Sequence, residues 1–211
     1  MNPYDELVRR DPGLEPVLTA TGRPDPFEWH DGERTQGDPF AGMVLHISSQ
    51  QISTVVAFRL YDRLAAEMGG LPDPAGVAAL SGERWRELGF SRAKVKYLGA
   101  LARQILDGEL DLAALAGLPD DVVRARLTAL PGVGNWTTDL FMIFQLRRPD
   151  IFPAGDLALR HAVGRWLPPT GTSIREVEER AARWAPFRTY AAGAFWHSLK
   201  ISRGGERPGR R

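Results

Sequence analysis

The sequence predicts an all-α protein, one compact unit built of two helical lobes, on three observations. Every long apolar segment repeats with a period near 3.6 residues, and none alternates with the period of two that a half-buried strand requires. Serine, aspartate and glycine stand where such segments need caps and stops. Finally, 211 residues can bury a sizeable core unaided, and no internal repeat, low-complexity stretch or Gly/Ser linker divides them.

Composition narrows the class further. The chain has no cysteine, which excludes disulfides, thiolate zinc sites and Cys-ligated iron–sulfur clusters. Its first residues, MNPYDELVRRDPG, are polar and charged, unlike a secretory signal, and no apolar run is long enough to span a bilayer. A cytoplasmic protein with no membrane contact is expected. A formal net charge of +1 announces no nucleic-acid partner, but a polyanion feels a face and not a sum. Lys94, Lys96 and Lys200 are the only lysines, and positive charge gathers at residues 84–96 and in a basic, flexible tail at 203–211.

Taken in order, residues 1–37 hold Pro3, Pro12, Pro16, Pro24 and Pro26 and read as a wrapping segment with short helices near Tyr4 to Arg10 and Leu14 to Ala20. From Pro39, a helix places Phe40, Met43, Val44 and Ile47 on one stripe and breaks at Ser48-Ser49-Gln50-Gln51. Ser53 caps the next, which Gly69-Gly70 stops, so the two glutamines occupy a helix-to-helix elbow. Residues 71–89 break into short pieces around Trp85 and Leu88. Ser91 caps an amphipathic helix carrying Tyr97, Leu98, Leu101 and Ile105. Lys94 and Lys96 lie near its start, where the helix dipole gives cations nothing, and an external anion is expected there. A helix from Pro119-Asp120-Asp121 runs to Leu130, another from Trp136 to about Arg147-Arg148-Pro149, and a third begins after Asp156. Ser173 with Glu176 forms a capping box, and the last helix carries Tyr190, Phe195, Trp196 and Leu199.

The most informative stretch is LPGVGNWTTDLFMIFQLRRPDIFPAGDLALR, residues 130–160. Gly132 and Gly134 are expected to take positive φ, let the backbone lie flush against a ligand and leave amides at a helix start pointing outward, which is a seat for phosphate. Asp156 is a lone carboxylate at a helix N-terminus, where the dipole favours its ionised form; the same position suits a plain helix cap.

With its preceding helix, TALPGVGNWTT resembles a helix-hairpin-helix DNA-binding element. The Gly/Pro-rich loop ending at Asp156 resembles the rest of the signature of the helix-hairpin-helix (HhH-GPD) DNA glycosylase superfamily. Within it the chain is similar to the 3-methyladenine DNA glycosylase II family, through Ser49-Gln50-Gln51-Ile52-Ser53, Gly89-Phe90-Ser91 with Lys94 and Tyr97-Leu98, and Arg183-Trp184-Ala185-Pro186-Phe187-Arg188. The resemblance covers residues 40–201, and Trp136 and Asp156 lie twenty residues apart, as in the family pattern.

That resemblance implies an active-site cleft between the lobes, a glycosylase region at 38–202 with its hairpin at 121–147, and the whole chain acting as a single catalytic unit. It implies a monomer without obligatory protein partner that extrudes alkylated purines, of the 3-methyladenine and 7-methylguanine type, from duplex DNA and hydrolyses the N-glycosidic bond. Asp156 becomes the catalytic carboxylate. Trp136, Trp196, Leu140, His46 and Tyr190 are the base-pocket residues, and Gln51 the wedge that fills the vacated stack. Gly132, Val133, Gly134, Asn135, Trp136 and Thr137 hold DNA phosphates, and the carbonyls of Thr128, Leu130 and Val133 hold a sodium or potassium ion. No other cofactor and no catalytic metal is implied; His30, His46, His161 and His197 share no ligand spacing. Relatives that also cut the strand carry a lysine where this chain has Trp136, and tryptophan cannot form a Schiff base, so no lyase step is expected. Leu140 replaces a tyrosine found in some relatives, which bears on the breadth of substrates. The alternatives are a glycosylase for oxidised, deaminated or mismatched bases and a non-catalytic damage-binding protein.

Overall fold

The computed structural model describes residues 2–28 and 31–204; His30 and residues 205–211 of the basic tail lie outside them. The described residues form twelve α-helices and no strand, and none of these helices is long and apolar enough to cross a membrane. They divide into two units, one of residues 1–28 with 147–211 and one of residues 29–146.

The first unit is formed from both ends of the chain. Helix α1 (Pro3–Arg10) starts at Asn2, whose side chain accepts the Tyr4 amide, and a 3-10 turn at Pro12–Leu14 leads into α2 (Glu15–Thr21), which Gly22 ends at φ 70°. The short helices expected near Tyr4 to Arg10 and Leu14 to Ala20 are present. Pro3, Pro12 and Pro16 stand in first turns, where a helix has no use for the missing N–H, so they start helices instead of breaking them. Leu7, Leu14, Val17 and Leu18 are buried with Leu159, Val163, Val177, Trp184 and Phe195 from the C-terminal part of the chain. Asp11 fixes that union. Its buried carboxylate accepts two bonds from the Arg180 guanidinium, at 2.7 and 2.6 Å, and one from the Trp184 indole N–H at 2.8 Å.

The second unit surrounds one helix. Of its helices, α3 (Pro39–Ser49) and α4 (Thr54–Met68) flank the elbow, and α5 (Pro74–Ala79) and α6 (Gly82–Leu88) are short. Then follow α7 (Arg92–Leu106), α8 (Asp120–Thr128) and α9 (Asn135–Phe144). The sequence assigned α3 an apolar stripe, yet every residue from Phe40 to Ser48 is buried. A helix apolar on all sides belongs in an interior, and α4, α7 and α9 pack around this one. Gly42 lets α9 approach closely: a Cβ there would press into the Gln145 side chain.

The remaining helices, α10 (Leu157–Trp166), α11 (Ile174–Ala181) and α12 (Arg188–Gly204), complete the first unit. The capping box expected at Ser173 and Glu176 is present at the start of α11.

Candidate active site and nucleic-acid interface

Helices α8 and α9 form the hairpin, and Arg124 clamps them by a 2.7 Å bond to the nearly buried Asp139. Between them the backbone turns through Leu130 N–H to Leu127 O and Val133 N–H to Leu130 O, both 3.1 Å. The two turn glycines are not alike. Gly132 has φ 77°, and a Cβ on it would overlap the ring of Tyr97 from α7, so conformation and space both demand glycine. Gly134, expected at positive φ, is extended at φ −97°, ψ −177°, which any residue adopts. A Cβ there would meet no protein atom within 4 Å.

Helix α9 begins at Gly134 with no side-chain cap, unlike α3, α4, α7 and α10, which Asp38, Ser53, Ser91 and Asp156 cap. Its first turn, Asn135, Trp136 and Thr137, stands at the positive end of a ten-residue helix. The Thr137 side chain, expected to touch phosphate, is turned inward instead: it is 1% exposed and its hydroxyl accepts from the Gln50 amide at 3.0 Å. Trp136 is half-buried, and Leu140, one turn further along α9, shares its face and is nearly buried.

The elbow between α3 and α4 lies in the same unit. Gln51 is exposed, with φ 58°, an uncommon conformation for a residue with a side chain. Gln50 before it is half-buried and reaches the hairpin, donating to Gly132 O at 2.8 Å as well as to Thr137. Lys94 is not an anion site. It is 9% exposed and its Nζ donates to Ser48 O at 2.5 Å, at the C-terminal end of α3, where a cation meets the negative pole of that helix. Burial pushes its pKa down. Lys96 and Arg92 stay exposed, whereas Arg84 is drawn into ion pairs with Glu67 and Glu87.

Two proposed pocket residues are placed elsewhere than expected. His46 is fully buried inside the second unit, stacked on Phe144 and bonded to Gln145 at 2.8 Å, and desolvation lowers its pKa to about 4. It therefore stays neutral and lines no open surface. Tyr190 packs edge-on against Tyr4, Phe27 and Phe187, and the hollow it lines is built of N-terminal residues and Arg147, without Asp156. The rings of the N-terminal segment, underrated in the sequence, drew it there. Trp196 is half-buried against the core of the first unit.

Asp156 is the N-cap of α10. Its Oδ1 accepts the Leu159 amide at 2.9 Å, and the side chain remains partly exposed beside Leu157, which is 57% exposed. The loop carrying it is stiff. Arg160 donates to Ala154 O and Thr172 O, both at 2.9 Å, and the Thr189 hydroxyl accepts the Ile151 amide at 3.0 Å. Arg188 holds Asp150 by two bonds at 2.7 and 2.9 Å. Of these supports, the sequence pointed only to the segment around Arg188; Arg160 sat unnoticed in the apolar run after Asp156.

Against known proteins, residues 44–187 match the family model described as HhH-GPD superfamily base excision DNA repair protein. DNA-3-methyladenine glycosylase 1 of Schizosaccharomyces pombe is 29% identical over 170 residues, covering 78% of this chain and 74% of that protein. DNA-3-methyladenine glycosylase 2 of Escherichia coli is 27% identical over 173 residues, covering 76% of this chain and 58% of that protein. Among curated relatives the chain spans between 39% and 81% of their length. A DNA-3-methyladenine glycosidase structure from Bacillus halodurans superposes with a TM-score of 0.79 at 26% identity, covering 97% of this chain and 92% of that one. A 3-methyladenine DNA glycosylase of Schizosaccharomyces pombe in complex with abasic DNA shares the fold, with a TM-score of 0.83 at 24% identity over 98% of this chain and all of that one. The match over more than half its length, on the hairpin and the loop ending at Asp156, shows that the chain belongs to the HhH-GPD superfamily of base excision DNA repair proteins.

Proposed function

We propose that this protein is a monofunctional DNA glycosylase that excises alkylated purines of the 3-methyladenine and 7-methylguanine type from duplex DNA, the first step of base excision repair. The observation that carries it is the partly exposed carboxylate of Asp156, held at a helix N-terminus by a braced loop within the matched region. The names of the relatives support the substrate class.

Breaking an N-glycosidic bond passes through an oxocarbenium-like sugar, and the nucleotide must first leave the stack. A ring nitrogen carrying an alkyl group makes the base cationic and a good leaving group, so stabilising the sugar cation matters more than protonating the base. Asp156 supplies the negative charge, and orients or deprotonates the attacking water. Trp136 and Trp196, both half-buried, hold an electron-poor base by stacking and cation–π attraction. The first turn of α9, at Asn135, Trp136 and Thr137, with Gly132, Val133 and bare Gly134, grips phosphates at the positive end of that helix. The carbonyls of Thr128, Leu130 and Val133 would hold a sodium or potassium ion beside that grip, adding positive charge towards the strand. Gln51 fills the vacated stack. Since Trp136 replaces the lysine of strand-cutting relatives, no covalent imine forms and the product is an abasic site.

A lesion panel tests this directly. Duplexes bearing 7-methylguanine, 3-methyladenine, hypoxanthine or 8-oxoguanine are incubated with the protein, then treated with alkali or left untreated. Free base is expected from the methylated duplexes, with strand scission only after alkali. Release confined to hypoxanthine or 8-oxoguanine would overturn the substrate class, scission without alkali the monofunctional step, and binding without any release the enzyme.

A further inference from the structure

Resting on the glycosylase reading above, we propose that Gln50 keys the elbow bearing Gln51 to the phosphate-gripping turn, so that insertion into the duplex and grip on the strand stay in one register. Gln50 touches neither base nor sugar in this scheme; it is a positioning residue.

The geometry leaves it one role. Gly132 O is acceptor only, so the group facing it at 2.8 Å is the side-chain NH2 of Gln50, whose second proton goes to Thr137 Oγ1 at 3.0 Å. Both protons are used, one on Gly132 in the glycine turn and one on Thr137 in the first turn of α9. Two further ties close the ring. Lys94 of α7 donates to Ser48 O just before the elbow, and Tyr97, one turn on, packs where a Cβ of Gly132 would stand. Elbow, turn and α7 thus brace one another within a single unit.

Gln51 itself is exposed and left-handed, a conformation that costs a side-chain residue about 1 kcal/mol. It persists because its neighbours fix it. Gln50 is anchored to the hairpin, and Ser53 caps α4 two residues later. Freed of the Gln50 bonds, the elbow could relax towards ordinary φ, and a wedge would meet the gripped phosphate at a variable distance. Extrusion would then fall while the grip itself persisted.

The test uses the full chain with Gln50→Met, which keeps the length of the side chain and removes both donors, together with Gln51→Ala, the double variant and Thr137→Val. Extrusion is read by 2-aminopurine fluorescence beside a mispaired base, and affinity for undamaged duplex by anisotropy. We expect Gln50→Met and Gln51→Ala each to lower extrusion about 5- to 10-fold, the scale of one or two hydrogen bonds, with the undamaged-duplex affinity of Gln50→Met within about twofold of wild type. The double variant should be no worse than Gln51→Ala alone, because both act through the same wedge. Thr137→Val, which loses one of the two acceptors, should reproduce part of the loss. Single losses that multiply in the double variant, or unchanged extrusion in Gln50→Met, would overturn the coupling. Fluorescence needs no bond cleavage, so a wild-type protein that extrudes but releases no base refutes the enzyme reading and still tests Gln50. One that extrudes nothing overturns both.

Discussion

At Asp156 a single carboxyl group caps a helix and yet remains open to its surroundings. One oxygen caps α10 by accepting the Leu159 amide, which fixes the side chain, while the group stays partly exposed. The cap is what aims the charge. Asparagine caps a helix about as well as aspartate, so Asp156→Asn removes the charge with little cost to the fold, and its melting temperature should lie within a few degrees of wild type. His46 shows the opposite case, a titratable side chain taken out of play. Burial lowers its pKa from 6.5 to about 4, so the unfolded chain binds its proton first as pH falls. Its contribution to stability is whole above pH 6.5 and is lost progressively between 6.5 and 4, on the order of 3 kcal/mol by linkage. Urea unfolding across that window should show the loss in wild type, and His46→Gln should flatten it; an unchanged slope would mean that the imidazole is solvated. Glu6, lowered from 4.5 to about 2 by its bonds to Arg9 and Arg10, adds its own loss from 4.5 downward, at the foot of this window.

Among the elements, the hairpin turn holds two glycines of unlike structural demand with one residue between them. Gly132→Ala combines a left-handed φ with overlap on Tyr97, and we expect a loss of roughly 2–4 kcal/mol in denaturant unfolding. Gly134→Ala meets open space in an extended conformation, so stability should hold within about 0.5 kcal/mol. If DNA presses against that bare backbone, affinity for duplex should still fall about tenfold by fluorescence anisotropy, the effect of one lost close contact. Equal stability losses at the two positions would contradict the distinction. In the N-terminal segment the prolines stand at the starts of the short helices that the sequence placed there, and Asp11 ties that segment down. Asp11→Ala would strand the Arg180 guanidinium and the Trp184 N–H, costing about 3 kcal/mol and several degrees of melting temperature. A variant as stable as wild type would mean that residues 1–21 are dispensable to the core.

For the whole molecule, what could be read in the sequence was whatever depends on neighbours along the chain. Helix starts at Ser53, Ser91, Asp156 and Ser173 were legible because a cap acts within three residues, and the helical period exposed the absence of strands. The hairpin and the acid were legible as a motif of fixed spacing. Partners far along the chain were not: nothing in the run RAKVKYL says that Lys94 will end on Ser48 O, or Tyr97 under Gly132. Nor does the Gln-Gln pair say which glutamine faces the hairpin and which the solvent; backbone geometry decides that, through Gln51 at φ 58°. Likewise His46 looked available until α3 proved buried on every side. The most direct test of the proposed chemistry is single-turnover release of 7-methylguanine from a methylated duplex by wild type and Asp156→Asn, with duplex affinity measured alongside. A carboxylate that stabilises the sugar cation predicts a rate lower by about two to four orders of magnitude in the asparagine variant, at unchanged affinity. Release by Asp156→Asn at the wild-type rate would contradict it.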